Sequence, residues 1–444
     1  METGGIPQGG AKYVGIQAVQ VYVPRLCVQM QELERFDAAS SGKYVTGLGQ
    51  ESMHFCDDNE DVHSLSLTVV SQLLERYGID PKMVGRVEVG TESAVDRSKS
   101  VKSVIMSLFE ASGNGEVDGL DCTNACYGGT AALFNTVAWM ESSLWDGRLG
   151  IVVCADIATY APGPARCTGG AGAVALLIAP NAALVLEPAL RSTWMGHSYD
   201  FYKPVGDTSE YPILFGEETL SCFFNALDTC YGRFRQRAEK FLGRPFDVGS
   251  DVDFLLFHAP FNKLVRKSVA RLAFLEDNGS LAEHAGTNKE CWDRATQHKY
   301  LESTKTMYEQ KVHAGAWVAK RIGNCYTASL YISLAAALES QRAVPGCRIL
   351  LYSFGSGFAS CMYSLKIRSA LMRPQRDHGE PSLQALLEKR VVCSPEQFTK
   401  AMQRREQAWR ERPYHPVSGL AEPVESTFYL EAVDEFGRRS YRQR

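Results

Sequence analysis

Apolar runs of strand length alternate along this chain with segments whose apolar residues recur at helical spacing. Gly150–Asp156, "GIVVCAD", and Ala171–Ala179, "AGAVALLIA", are apolar almost throughout, as strands buried on both faces are. Arg86–Ser93, "RVEVGTES", is a short β-type run that ends in polar residues. Leu65–Gly78, "LSLTVVSQLLERYG", has the period of an amphipathic helix and stops at a glycine. The alternation predicts an α/β fold around a largely buried sheet.

The pattern also repeats. "CYGGTAALFNTVAWMES" from Cys126 is echoed by "CYTASLYISLAAALES" from Cys325. A glycine-rich turn and a strand follow each, "TGGAGAVALLI" from Thr168 and "SFGSGFASCMYSL" from Ser353. Upstream, "RVEVGTE" ends at Glu92, and "DFLLFHAP" places His258 near a strand end before Pro260. Either composition alone makes the halves alike, or a duplicated fold brings strand tips and helix starts to one cleft.

Cys126 stands where a polar loop meets a small-residue helical run, with Gly128 and Gly129 behind it. A helix N-terminus carries unpaired N–H groups and partial positive charge, which predicts a lowered thiol pKa and a nucleophile. The glycines would let an acyl group approach the backbone, whose N–H groups could hold a thioester oxyanion. Covalent acyl transfer is the chemistry this placement suits. A buried structural cysteine is the competing account, and Cys325 is a rival at the repeated junction. Glu92, at a strand tip, would be a base with a raised pKa or a plain surface acid. His258 would face the cleft, or be a satisfied strand-end histidine. Asp96, Arg97 and Lys99 read as a solvated loop.

Bulk composition narrows the field. The 444 residues, 45% hydrophobic, can bury a large core without a disulfide or metal staple. A net charge of −4 gives no sign of a nucleic-acid or polybasic membrane surface. Thirteen scattered cysteines, several inside apolar runs, fit reduced thiols. No cysteine or histidine spacing matches a metal site. "METGGIPQGGAKYVG" reads as neither signal nor transit peptide, no apolar run approaches a membrane span, and "SYRQR" is no retention or peroxisomal address. The expected location is the cytoplasm.

Together, "NACYGGTAALFN", "VEVGTES" with "VDRSKSVK", "YDFYKP", "SEYPI", "FHAPFNKLV", "GN.YTAS.Y" and "GSG.A" resemble 3-hydroxy-3-methylglutaryl-CoA synthases of the eukaryotic type. The likeness runs from about Gly15 to the tail. It implies a thiolase-like five-layered αβαβα fold from two similar halves. These would span 13–185 and 186–370, the second with a helical insertion, and 371–444 would add a helical region and closing hairpin. It implies a ping-pong reaction. Cys126 takes an acetyl group from acetyl-CoA. Glu92 removes a methyl proton as general acid/base, and the carbanion attacks acetoacetyl-CoA, which His258 positions. Water then releases the product.

The resemblance further implies that Asn324 hydrogen-bonds the second substrate and that the Ser356 backbone N–H serves an oxyanion. Asp156, Tyr160, Thr168, Asp200 and Tyr202 match positions at or near the site. Lys263, Arg266 and Lys267 would meet CoA phosphates, unless they form a solvated helix face. No metal, flavin or nicotinamide is implied, and the substrates are CoA thioesters. A homodimer and the mevalonate route to isoprenoids and sterols are expected. Cys167 and Cys325 depart from the family's usual proline and methionine, and the charged segment 276–321 is short. A thiolase would want a second cysteine where Ser356 stands. A ketoacyl synthase could use Cys126, His258 and Asn324 without Glu92. A non-enzymatic scaffold is the remaining alternative.

Overall fold

The computed structural model describes residues 10–444 except 205–209, 279–291, 376–381, 418 and 423. The apolar runs become nine strands of one mixed sheet: β1 Gly15–Tyr22, β2 Val84–Gly90, β3 Asp121–Cys122, β4 Leu149–Ala158, β5 Gly170–Ala179, β6 Leu184–Met195, β7 Phe254–Phe257, β8 Arg348–Gly355 and β9 Ala359–Ile367. Their order is β7-β8-β9-β6-β1-β5-β4-β2-β3. The repeat is visible in the pairing. β2 runs parallel to β4, which is antiparallel to β5, which is antiparallel to β1. β7 runs parallel to β8, which is antiparallel to β9, which is antiparallel to β6. The two half-sheets meet only where Gly15 and Ile16 pair with Val185 and Leu184.

Three apolar cores separate these half-sheets into layers. Helices α1 Val62–Tyr77, α2 Gly128–Met140, α3 Gly216–Leu242, α4 Asn262–Asn278 and α5 Ser329–Leu338 supply the packing. On β4, Ile151, Val153 and Ala155 face α1, while Val152 and Cys154 face α2 and α5. On β8, Ile349 and Leu351 point into that same middle core, while Leu350, Tyr352 and Phe354 face α3 and α4. The alternation follows from the period of two along a strand. The order is therefore helix, half-sheet, helix pair, half-sheet, helix: the expected five layers.

Local chemistry fixes the helix ends. Asp61 and Ser64 form a capping box on α1, and Gly78 closes it at φ +62°. The charged segment at 276–321 forms helices Arg294–Ser303, Lys305–Lys311 and His313–Ile322, with 279–291 outside the described residues. The C-terminal addition holds helix α6 Pro395–Arg410 and the hairpin β10 Phe428–Val433 and β11 Arg439–Gln443. It is clamped to both halves by ion pairs. Arg404 meets Asp57, and Arg439 meets Asp61 at 2.8 Å. Arg405 reaches Glu210 at 2.7 Å and the Asp57 carbonyl at 3.0 Å.

Candidate active site

Cys126 lies between β3 and α2, two residues before the first helical residue. The chain turns sharply there, with Ala125 held at φ +45°. The glycines behind the cysteine have a packing role. A Cβ on Gly128 would stand 2.5 Å from the Cys122 oxygen, and one on Gly129 would stand 2.4 Å from the Cys154 sulfur. A Cβ on Gly90 would meet the Gly129 nitrogen at 2.2 Å. Their lack of side chains lets α2 press against β2 and β4, which sets the cysteine's place.

Glu92 reaches Cys126 from the loop after β2. The thiol hydrogen-bonds its Oε1 at 3.0 Å. Asp156, at the end of β4 and fully buried, holds that loop. Its Oδ1 accepts from the Glu92 backbone N–H at 2.9 Å and from the Thr91 and Ser93 hydroxyls at 2.8 Å each. Its Oδ2 accepts from the Thr327 N–H at 3.0 Å and from the Thr327 hydroxyl. One carboxylate thus ties the glutamate loop to the helix start of the second half. Asp96, Arg97 and Lys99 are exposed, as expected.

An apolar and aromatic wall surrounds the sulfur. Cys126 packs against the cluster of Ala158, Tyr160 and Tyr326, on which Phe201 and Leu214 also pack. The Tyr160 ring meets Tyr326 edge-on at 6.4 Å, and its hydroxyl lies against Thr168 and Tyr326. Thr168 Oγ1 donates to the Ala165 carbonyl at 2.7 Å. Tyr202 packs on Tyr199, beside this wall in sequence.

The second half contributes two turns. Asn324 lies beside β5, its N–H donating to the Gly169 carbonyl at 3.0 Å. Its Oδ1 accepts from the Tyr326 N–H at 2.9 Å and from the Ser329 hydroxyl at 3.0 Å. Among the described residues no acceptor is found for its Nδ2. Ser356 sits in the β8–β9 turn. A Cβ on the preceding Gly355 would lie 2.4 Å from the Asn124 oxygen and 2.5 Å from the Tyr127 nitrogen, so this turn rests directly on the Cys126 loop. Asp200 secures it by accepting from the Gly357 N–H at 2.9 Å, while its buried Oδ2 has no partner among the described residues.

His258 follows β7 immediately, and its N–H donates to the Tyr352 carbonyl at 2.8 Å. That pairing puts it at the same end of the half-sheet as the Ser356 turn. The imidazole is buried at 2% exposure, where the sequence had suggested an open one. No hydrogen bond joins it to Cys126 or Glu92. Lys263 and Lys267 lie one turn apart on α4, with Arg294 near and Arg266 over the Tyr308 ring. None of these four cations touches the Cys126 cluster.

The electrostatics correct one expectation and support another. Burial, with the Glu92 carboxylate facing it, pushes the Cys126 thiol well above its ordinary pKa, so helix-end stabilisation does not win. Burial raises Glu92 to about 7, against the opposing pull of Lys203. Two acids 3.0 Å apart cannot both ionise, so the pair titrates as a unit. Burial holds His258 down at about 3, leaving a neutral imidazole at physiological pH. Cys325, the rival, is buried against β5, where a Cβ on Gly172 would lie 3.2 Å from its sulfur.

Lys203, Thr327 and Tyr326 were not picked out from the sequence. All three do lie inside quoted motifs, Lys203 in "YDFYKP" and Tyr326 and Thr327 in "GN.YTAS.Y", which was the available signal. Among the described residues no group of three His, Cys, Asp or Glu side chains could hold a metal ion. No helix among them is long and apolar enough to cross a membrane.

Comparison with known proteins covers the chain end to end. Residues 10–183 match the family described as hydroxymethylglutaryl-coenzyme A synthase N terminal, and 184–444 match its C-terminal counterpart. The chain is 44% identical to the mitochondrial hydroxymethylglutaryl-CoA synthase of Bos taurus, covering 98% of this chain and 90% of that one. It is 43% identical to the cytoplasmic enzyme of Gallus gallus, covering 98% and 87%. The solved structure of MvaS in complex with 3-hydroxy-3-methylglutaryl coenzyme A superposes with a TM-score of 0.85 at 30% identity, covering 97% and 99%. A structure of an HMG-CoA synthase complexed with CoA shares the fold at a TM-score of 0.74 and 23% identity.

Proposed function

The chain belongs to the hydroxymethylglutaryl-CoA synthase family, and on that footing we propose that it condenses acetyl-CoA with acetoacetyl-CoA and water to give 3-hydroxy-3-methylglutaryl-CoA and CoA. It is then an acyltransferase that forms a carbon–carbon bond. Cys126 Sγ attacks the acetyl-CoA carbonyl, and CoA leaves. Glu92 then removes a proton from the acetyl methyl group, the carbanion adds to the ketone of acetoacetyl-CoA, and water cleaves the remaining thioester. A carboxyl near pH 7 suits both removal and return of a proton. His258, a neutral imidazole, donates to the acetoacetyl group. Asn324 offers its Nδ2, and the Ser356 turn offers a backbone N–H. Asp156, Tyr160, Thr168 and Asp200 orient these groups, and Lys263 and Lys267 meet CoA phosphates.

The observation that carries this reading is the 3.0 Å contact between the Cys126 thiol and Glu92. A ketoacyl-type condensation would have no use for that carboxylate. Glu92→Ala decides between them: acetyl-enzyme should still form from acetyl-CoA, more slowly without the carboxylate that takes the thiol proton, while condensation stops. Normal turnover by the variant would sink the proposal.

The three-part division at 185 and 370, a homodimer, and service to the mevalonate route belong to the same proposal. So does residence in the cytoplasm, which the free thiols of a reducing compartment support. Relatives of both cytoplasmic and mitochondrial kinds match this chain, so imaging of the tagged full-length protein decides the compartment.

A further inference from the structure

Lys203 follows the short strand Phe201–Tyr202 and turns its ammonium toward the Cys126 site. Nζ donates to the Glu92 backbone oxygen at 3.2 Å and lies 4.8 Å from the centre of the Tyr326 ring. Tyr326 is 1% exposed and part of the wall around the sulfur. Among the described residues no carboxylate lies within ion-pair distance of this ammonium. A half-buried cation held by one carbonyl and one ring face needs a negative charge nearby to offset its desolvation. The Cys126–Glu92 pair is that charge. The other titratable groups facing the pair are Asp156, Tyr160 and Tyr326.

We propose that Lys203 is a positioning residue for this reaction: it is the counter-ion that keeps the Cys126–Glu92 pair a monoanion sharing one proton, and its bond to the Glu92 carbonyl fixes the loop carrying the carboxylate. The inference rests on the acetyl-transfer reading above. Within the pair, the S–H bond breaks as an O–H bond forms on Glu92 Oε1, and the negative charge moves to sulfur. The sulfur's electron pair forms the new C–S bond, and CoA departs as a thiolate. That thiolate takes the proton from Oε1, and Glu92 is again a carboxylate, ready for the methyl proton. The net charge beside Lys203 is −1 until the thiolate is acylated and again once Glu92 is deprotonated, so one fixed cation serves the sequence.

The test uses full-length protein and iodoacetamide. The alkylation rate of the Cys126 peptide is followed by mass spectrometry against pH for wild type, Lys203→Met, Lys203→Gln and Lys203→Arg. Met and Gln should each move the midpoint up by about one pH unit or more, making alkylation about tenfold slower at a fixed pH below it. Arg should restore the midpoint. A lysine with only a structural role would lower the melting temperature and leave the midpoint in place. An unchanged midpoint in Lys203→Gln overturns the proposal, whether or not Lys203→Met folds; so does a midpoint that Gln restores as well as Arg. The readout needs no CoA substrate. If wild type takes no acetyl group from acetyl-CoA, the acyl-transfer reading fails, while the alkylation shift still decides the counter-ion.

Discussion

The two helix junctions of the repeat, at Cys126 and at Cys325, share topology and little else. In each half a tight loop leads into a helix that fills the middle layer. Each loop holds one non-glycine residue at positive φ: Ala125 at +45° and Tyr326 at +43°. Ala125 precedes its cysteine, whereas Tyr326 follows its own. By backbone conformation it is Thr327, not Cys325, that stands where Cys126 stands, two residues before the helix. Thr327 spends its hydroxyl and N–H on Asp156. Cys126 spends its thiol on a carboxylate. The repeat supplies two equivalent positions; one holds the proposed nucleophile, and the other is the brace that holds its partner's loop.

The sharpest way to break this contrast is to delete each sulfur. Cys126→Ala should lower condensation by at least about four orders of magnitude, because among the described residues no other thiol faces Glu92. Cys325→Ala should leave kcat within about threefold and cost on the order of 1–2 kcal/mol of folding stability, measured by urea titration. Equal losses in both would erase the distinction.

Next in size is His258, from the second half. His258→Ala should reduce condensation about 100-fold and raise KM for acetoacetyl-CoA, with acetyl-enzyme formation unchanged. Slow acetylation in that variant would place the imidazole in the first step. Asp156→Asn probes the brace between the halves. It keeps the shape but loses a charge that accepts five hydrogen bonds. A fall of roughly tenfold in condensation and a lower melting temperature should appear together, since the same bonds hold fold and loop.

The smallest effect concerns pH and stability. Glu92 binds its proton more tightly in the folded chain, near pH 7, than at its ordinary 4.5. Between those values the native state holds more protons, so this group's contribution falls as pH rises from 4.5 to 7. Glu92→Gln should therefore be more stable than wild type above pH 7, by up to about 3 kcal/mol, with no gain below pH 4.5. A pH-independent difference in urea midpoints would show that the carboxylate is not strained by burial.

The layers were legible because their signal is periodicity. "GIVVCAD" and "AGAVALLIA" became β4 and β5, and "LSLTVVSQLLERYG" became α1, closed at Gly78. Glu92 and Cys126 were found as residues at strand and helix ends, and Asp156 through the family resemblance; the structure brings the three together. Their electrostatics were harder to read. A thiol before a helix argues for a lowered pKa only while its surroundings are unknown; the wall of Tyr160, Tyr326 and Phe201 and the facing carboxylate reverse the sign. The packing role of Gly128 and Gly129 was missed for a related reason. A glycine's closeness to a neighbouring strand depends on packing between distant segments, which local sequence does not encode. Lys203 escaped for the same reason, because only the fold carries it 111 positions back along the chain to Glu92.

The central claim is that one sulfur, Cys126, carries the acetyl group. Full-length protein is incubated with acetyl-CoA, quenched in acid, digested and mapped by mass spectrometry. A two-carbon adduct confined to the Cys126 peptide, and absent from Cys126→Ala, is the expected result. An adduct on Cys325, or none on protein shown to be folded, would contradict it.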